Sequence, residues 1–292
     1  MPLFSPAPRR RVAVALVAAA AGFSTLASAS ADAAPARPTP TAEARAAGVQ
    51  PGNATMGWKQ QAPLAGRSAP QRGAGESLQS MAFVPSGVLG IDVSSWQGNV
   101  NWTRHRAEGK RFAYVKATEG TGYKNPYFSS QYTGSYKAGM IRGAYHFALP
   151  SRSSGKTQAA YFAKNGGGWS ADGRTLPGVL DIEYNPYGST CYGLSKTAMV
   201  AWVKSFITEY KRLTTRDAVI YTTTNWWTQC TGNTKAFSLT NPLWLARYGT
   251  SPGTLPGAWT RATFWQYTNV PLDQNRFSST YTRLKVLATD AG

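Results

Sequence analysis

Leu176-Pro177-Gly178-Val179-Leu180-Asp181-Ile182-Glu183 places two carboxylates at the end of an apolar run. Read as a strand, the run sends alternate side chains to opposite faces, so Asp181 and Glu183 share one side. At a rise of ~3.3 Å per residue they stand roughly 6–7 Å apart. Two acids that close push their pKa values apart, so one ionises while the other can hold a proton. A glycoside hydrolase needs that division. A chance acidic pair at a strand end is the plain alternative.

Similar runs flank this one. Val88–Val93, Phe112–Thr118 and Ile141–Phe147 precede it, and Ala218–Thr222, Leu243–Ala246 and Thr263–Tyr267 follow, all reading as strands. Tyr127–Ala138, Lys156–Lys164 and Ser195–Leu213 show apolar spacing near 3.6, with Ser195 placed to cap the last helix and Trp202, Phe206, Ile207 and Tyr210 forming its apolar face. Strands alternating with helices predict an α/β fold, either a parallel β/α barrel or a doubly wound sheet. After Ala218 the helices thin out, which predicts an irregular final part. In barrels, active-site residues stand at the C-terminal ends of strands. Asp92, Tyr145-His146 and the Asp181/Glu183 pair all occupy such ends. His146 reads more simply as a satisfied structural histidine than as a catalytic one.

The 292-residue chain opens differently. Arg9-Arg10-Arg11 precedes the apolar stretch Val12–Ala21, and Ala-x-Ala sites end at Ala29, Ala31 or Ala33. Residues 1–33 therefore read as a signal peptide, too short in its apolar core to span a bilayer, and the protein as secreted and extracellular. Residues 34–86, rich in Ala, Pro, Gly, Gln and Ser, read as a disordered linker or pro-segment. From Gly87 the composition shifts to Val, Ile, Tyr, Trp and Phe, leaving residues 87–292 for one domain. Cys191 and Cys230, the two cysteines of an exported chain, predict one disulfide. With only His105 and His146 beside them, no zinc site of the usual ligands is expected, and no cofactor.

The formal charge is +18, and from Gly87 onward 23 Lys/Arg face 10 Asp/Glu, a balance of +13. Such a field draws a protein to polyanions. For an exported chain those are anionic wall polymers rather than nucleic acid, unless the charge serves only solubility. Acids are scarce, so a carboxylate inside apolar sequence needs a reason.

Asp92 lies in Gly90-Ile91-Asp92-Val93-Ser94-Ser95-Trp96-Gln97-Gly98, an acid followed by Ser, Trp and Gln as a sugar site would have it. A capping aspartate beside a core tryptophan is the alternative. With Phe112–Gly120, Gly143-Ala144-Tyr145-His146-Phe147, Leu180–Glu183, Pro242–Tyr248 and Phe264-Trp265-Gln266-Tyr267, this ordered set over roughly residues 87–285 resembles the glycoside hydrolase family 25 lysozymes, the Chalaropsis-type N-acetylmuramidases. The resemblance implies an irregular TIM-like β/α barrel that hydrolyses the β-1,4 bond between N-acetylmuramic acid and N-acetylglucosamine in peptidoglycan. It maps functional positions onto Asp92, Asp181, Glu183 and Asp273, the last in a run that departs from the family's pattern.

Glu183 is then the expected general acid/base and Asp181 its charged support, with Asp92 and Asp273 assisting. The estimated separation lies between the spacings of retaining and inverting enzymes, and a 2-acetamido group could itself serve as nucleophile. Trp96, Tyr145, Trp244 and Tyr248 are candidate sugar-stacking residues, and Gln266 a candidate substrate contact. The expected partner is peptidoglycan, bound by a monomer without a membrane span. A chitinase-like hydrolase is one rival, weakened because Pro177–Leu180 lack the acids such enzymes carry upstream. A non-catalytic wall-binding domain is the other, though a pure binder has no need of two acids at one strand end.

Overall fold

Nine strands form one sheet among the residues that the computed structural model describes, 37–60 and 85–289. Seven run parallel around a ring: β1 (Val88–Val93), β2 (Phe112–Glu119), β4 (Ile141–Phe147), β5 (Val179–Asp181), β6 (Val219–Thr222), β7 (Leu243–Ala246) and β8 (Phe264–Thr268). A short β9 (Gln274–Phe277) lies antiparallel between β8 and β1 and closes the barrel. The two-residue β3 (Tyr123–Lys124) pairs with the end of β2. The fold is the irregular β/α barrel expected, with one antiparallel closing strand.

Period-two alternation builds the interior. Phe112, Tyr114, Tyr145, Val179, Val219, Tyr221, Trp244, Phe264 and Phe277 form one buried cluster. The intervening Leu180, Ile220, Leu243 and Leu245 join an outer cluster with Met199, Trp202, Val203, Phe206 and Tyr210. Aromatic crowding at the interior is relieved by glycine: a Cβ on Gly143 would lie 2.1 Å from the Tyr114 ring.

The helices are α2 (Trp102–Ala107), α3 (Phe128–Lys137), α4 (Gly155–Phe162), α5 (Lys196–Thr214), α6 (Thr224–Thr231) and α7 (Tyr281–Thr289). Ser195 caps α5, its Oγ accepting from Ala198 N at 3.2 Å. No described helix separates β7 from β8 or β8 from β9, so the helical layer does thin toward the C-terminus. Cys191 and Cys230 form the expected disulfide, tying the loop after β5 to α6. No helix among the described residues is long and apolar enough to cross a membrane. The expected signal peptide, residues 1–33, lies outside the described residues.

Residues 37–60 correct one expectation. In place of disorder they form α1 (Ala42–Ala46), capped by Thr41, and a 3-10 turn at Trp58–Gln60. Ala44, Val49, Ala54, Met56 and Trp58 are buried. Their apolar residues are too few for a core of their own. They are buried instead in clusters belonging to the barrel, Met56 with the interior and the other four with the outer layer.

Candidate active site

Alternation carries polar residues into the interior at the C-terminal ends of the strands. Asp92 follows inward-facing Gly90 on β1, and its partner across the closing seam, Asn275, pairs with Gly90 on β9. Asp92 is buried, and its Oδ2 accepts from Asn275 Nδ2 at 2.7 Å and from Gln266 Nε2 at 3.1 Å. Burial outweighs these bonds and pushes its pKa up to about 6.

The strand carrying the acid pair ends at Asp181, two residues earlier than expected, but the backbone continues in register: Ile182 N donates to Tyr221 O at 3.0 Å. Ile182 joins the outer cluster, so Asp181 and Glu183 do lie on the inner side. Both are fully buried. Neither carboxylate oxygen of Asp181 has a hydrogen-bond partner among the described residues. Burial raises the Asp181 pKa well above the usual range, and the charge of Glu183 adds to it. Glu183 is pushed up to about 8 by burial, against the pull of an N–H donated to it and of the Lys116 charge. That N–H belongs to Gly57, 2.6 Å from Glu183 Oε1.

Asp273 sits just before β9, where Tyr248 OH donates to its Oδ1 at 3.4 Å. Its carbonyl accepts from Asp92 N at 3.4 Å, which places the fourth expected acid beside the first. Tyr145 is buried, and its hydroxyl has no hydrogen-bond partner among the described residues. The charges of Asp92, Asp181 and Asp273 add to burial in raising this phenol. Gln266 links Asp92 to Tyr221, whose hydroxyl donates to Gln266 Oε1 at 2.8 Å. Trp96 stands at the rim, 46% exposed.

Trp244 does not fit a stacking role. It is fully buried among Tyr114, Tyr221 and Phe264, and its Nε1 donates to Asn275 Oδ1 at 3.2 Å. The alternation that sends Leu243 and Leu245 outward leaves Trp244 in the interior, paired with Tyr221, which in turn pairs with Asp181. His146 is structural: Nδ1 pairs with Thr118 Oγ1 at 2.8 Å and Nε2 with Gln158 Oε1 at 2.9 Å. Burial lowers its pKa to about 4 and keeps it neutral.

Several residues of this region were given no role from the sequence. Lys116 and Glu119, on β2, form a buried ion pair, and Glu119 also accepts from Tyr187 OH. Tyr192, beside the disulfide, is buried near the acid pair, whose charges add to burial in raising its phenol. Asn275 was hidden in a run, Asp273-Gln274-Asn275-Arg276-Phe277, without a strand-like pattern. Among the described residues no cluster of His, Cys, Asp and Glu is arranged to hold a metal ion.

Three buried acids with raised pKa values at strand ends, with Asp273 beside them, suit proton transfer to and from a sugar oxygen. The profile of glycosyl hydrolases family 25 matches residues 91–275. Over 213 residues the chain is 53% identical to lysozyme M1 of Streptomyces globisporus, covering 70% of this chain and 72% of that one. It is 48% identical over 209 residues to the N,O-diacetylmuramidase of Chalaropsis sp, covering 69% and 99% of the two chains. The solved structure of a muramidase from Acremonium alcalophilum superposes with a TM-score of 0.69 at 57% identity, covering 69% of this chain and 99% of that one. A barrel with this site and these relatives belongs to glycosyl hydrolases family 25.

Proposed function

We propose that the protein is a secreted muramidase that hydrolyses the β-1,4 bond between N-acetylmuramic acid and N-acetylglucosamine in peptidoglycan. The single observation behind the mechanism is the Asp181/Glu183 pair, buried together on the inner side at the end of β5 with both pKa values raised. Glu183, which can hold a proton near neutral pH, donates it to the glycosidic oxygen as the bond to the anomeric carbon breaks. The carbonyl oxygen of the muramic acid 2-acetamido group attacks that carbon and closes a cyclic intermediate, with Asp181 accepting the amide N–H. Water then opens the ring at the anomeric carbon, giving a proton to Glu183 and restoring the acetamido group. The product keeps its anomeric configuration.

Asp92, held by Asn275 and Gln266, and Asp273, held by Tyr248, supply the negative field that stabilises a developing oxocarbenium charge. Tyr145 and Gln266 lie beside the sugar, and Trp96 offers a stacking face at the rim. The excess of Lys and Arg adsorbs the monomeric protein to anionic wall polymers.

Mass spectrometry of fragments from purified peptidoglycan tests the activity. A reducing N-acetylmuramic acid end is expected, and a reducing N-acetylglucosamine end would overturn it. A trapped aspartyl–sugar adduct, or inverted product, would replace the acetamido step.

A further inference from the structure

The residues proposed to grip substrate are already in contact with another part of the chain. Gly57 N–H reaches Glu183 Oε1, and the Gly57 backbone threads between Gln266, Tyr221 and Tyr248: a Cβ there would lie 2.8, 2.9 and 3.1 Å from their polar atoms. Its φ of +69° also suits glycine and few other residues. Met56 is fully buried in the interior cluster that holds Tyr145, Tyr221 and Trp244. Ala54 N donates to Glu119 Oε2 at 3.2 Å, and its carbonyl accepts from Lys116 Nζ.

Contacts continue outward on both sides. Asn53 accepts at its carbonyl from Trp96 Nε1 at 3.4 Å and at Oδ1 from Ser95 Oγ at 2.8 Å. Trp58 is buried, its Nε1 donating to Tyr184 O at 2.8 Å, next to the catalytic Glu183. Six consecutive residues thus run from the rim tryptophan, over the acid, to the loop beyond β5. The family match begins at residue 91, after this segment.

We propose that Asn53–Trp58 is an intramolecular inhibitor, a pro-segment filling the catalytic cleft until an endopeptidase hydrolyses a peptide bond between Gln60 and Gly87 and lets it leave. The inference rests on the muramidase reading of the site. Backbone amides and a methionine occupy the places of sugar hydroxyls and ring faces, and the Gly57 N–H sits on the carboxyl that must serve as acid. The chain is made closed, and cutting it opens the cleft. A cleft closed nine-tenths of the time would lose about tenfold in apparent affinity.

The test uses the full exported chain with a recognition sequence for a site-specific endopeptidase inserted between Gly73 and Ala74. Cutting is expected to raise the initial rate of peptidoglycan solubilisation at least ~10-fold. Gly57→Leu and Met56→Asp, which spoil the fit of the segment while every barrel residue stays as it is, should raise the rate of the uncut chain similarly. A synthetic peptide spanning Gln50–Gln60 should inhibit the cut Gly57→Leu protein. Equal rates for uncut, cut and substituted chains would overturn the inference. Calorimetry with a peptidoglycan tetrasaccharide separates occlusion from chemistry: binding in the cut Gly57→Leu chain but not in the uncut chain supports the plug, and equal binding refutes it. If the opened chain binds the tetrasaccharide but releases no muramic acid ends, the muramidase reading fails and the plug stands.

Discussion

Asn275 donates to Asp92 Oδ2 at 2.7 Å across the antiparallel pairing that closes the barrel, so the seam of the fold and the support of a site acid are one contact. The same Asn275 accepts from Trp244 Nε1, which ties the interior aromatic cluster to the closing strand. These donors stabilise the buried Asp92, because leaving one acceptor unsatisfied costs about 1–3 kcal/mol.

Asn275→Ala removes the donor to Asp92 and the acceptor for Trp244 together. The expected loss of unfolding free energy is about 2–4 kcal/mol in urea titrations, the sum of one charged and one neutral bond. Activity should fall with it, since Asp92 loses its position and its pKa rises further. A variant as stable and active as the parent would show that Gln266 alone can hold Asp92.

Glu183→Gln keeps the shape of the side chain and its acceptor for Gly57 N–H but cannot deliver a proton. Its rate on peptidoglycan should drop at least ~10²-fold, whether or not the segment 37–60 has been cut away. Wall adsorption, set by surface charge, should be unchanged and should weaken with salt. An undiminished rate would remove Glu183 from the acid role.

Three of the acids were legible in the sequence because each interrupts an apolar run at a strand end, whereas Asp273, just before β9, came only from the family resemblance. Asp92, Asp181 and Glu183 needed only the period of two, and the structure buries all three close enough for the Asp92 charge to act on the other two. β9 was not legible, since its inward positions are Asn275 and Phe277, one polar because it serves Asp92. Trp244 misled for the converse reason: an aromatic in a strand beside polar neighbours can pack an interior as well as line a pocket. The order of residues 37–60 was not legible because their apolar side chains, Val49, Met56 and Trp58, come singly. Composition judges whether a segment can build a core, and says nothing of a cleft already built to receive it.

Titration offers an independent view of the site. Glu183 is held at about 8 in the folded chain against an ordinary 4.5, so between those values the folded state keeps a proton that the unfolded state has lost. Stability therefore falls as pH rises through that window. His146, lowered to about 4 from 6.5, acts oppositely: its contribution is lost as pH falls from 6.5 toward 4. From pH 6.5 to 8 the slope of the acids stands clear of the histidine. Urea titrations should show the parent losing up to about 2 kcal/mol across that interval. Glu183→Gln should flatten the fall, and parallel profiles would place the Glu183 pKa near its ordinary value.

Lys116 and Glu119 provide the sharpest test of packing beside the site. Both side chains are buried, and Glu119 also accepts from Tyr187 OH and Ala54 N. Lys116→Met would leave Glu119 as an uncompensated buried charge, a change that costs about 3–5 kcal/mol when one partner of such a pair is removed. Replacing both, Lys116→Met with Glu119→Gln, removes the stranded charge and should recover most of that loss, since two buried ions also shed their desolvation cost. Thermal unfolding of the two single variants and the double variant closes the cycle. The expected coupling is large and favourable. Additive losses would mean that Glu119 is held by Tyr187 and the Ala54 amide, with the lysine contributing only its charge to the acid pair.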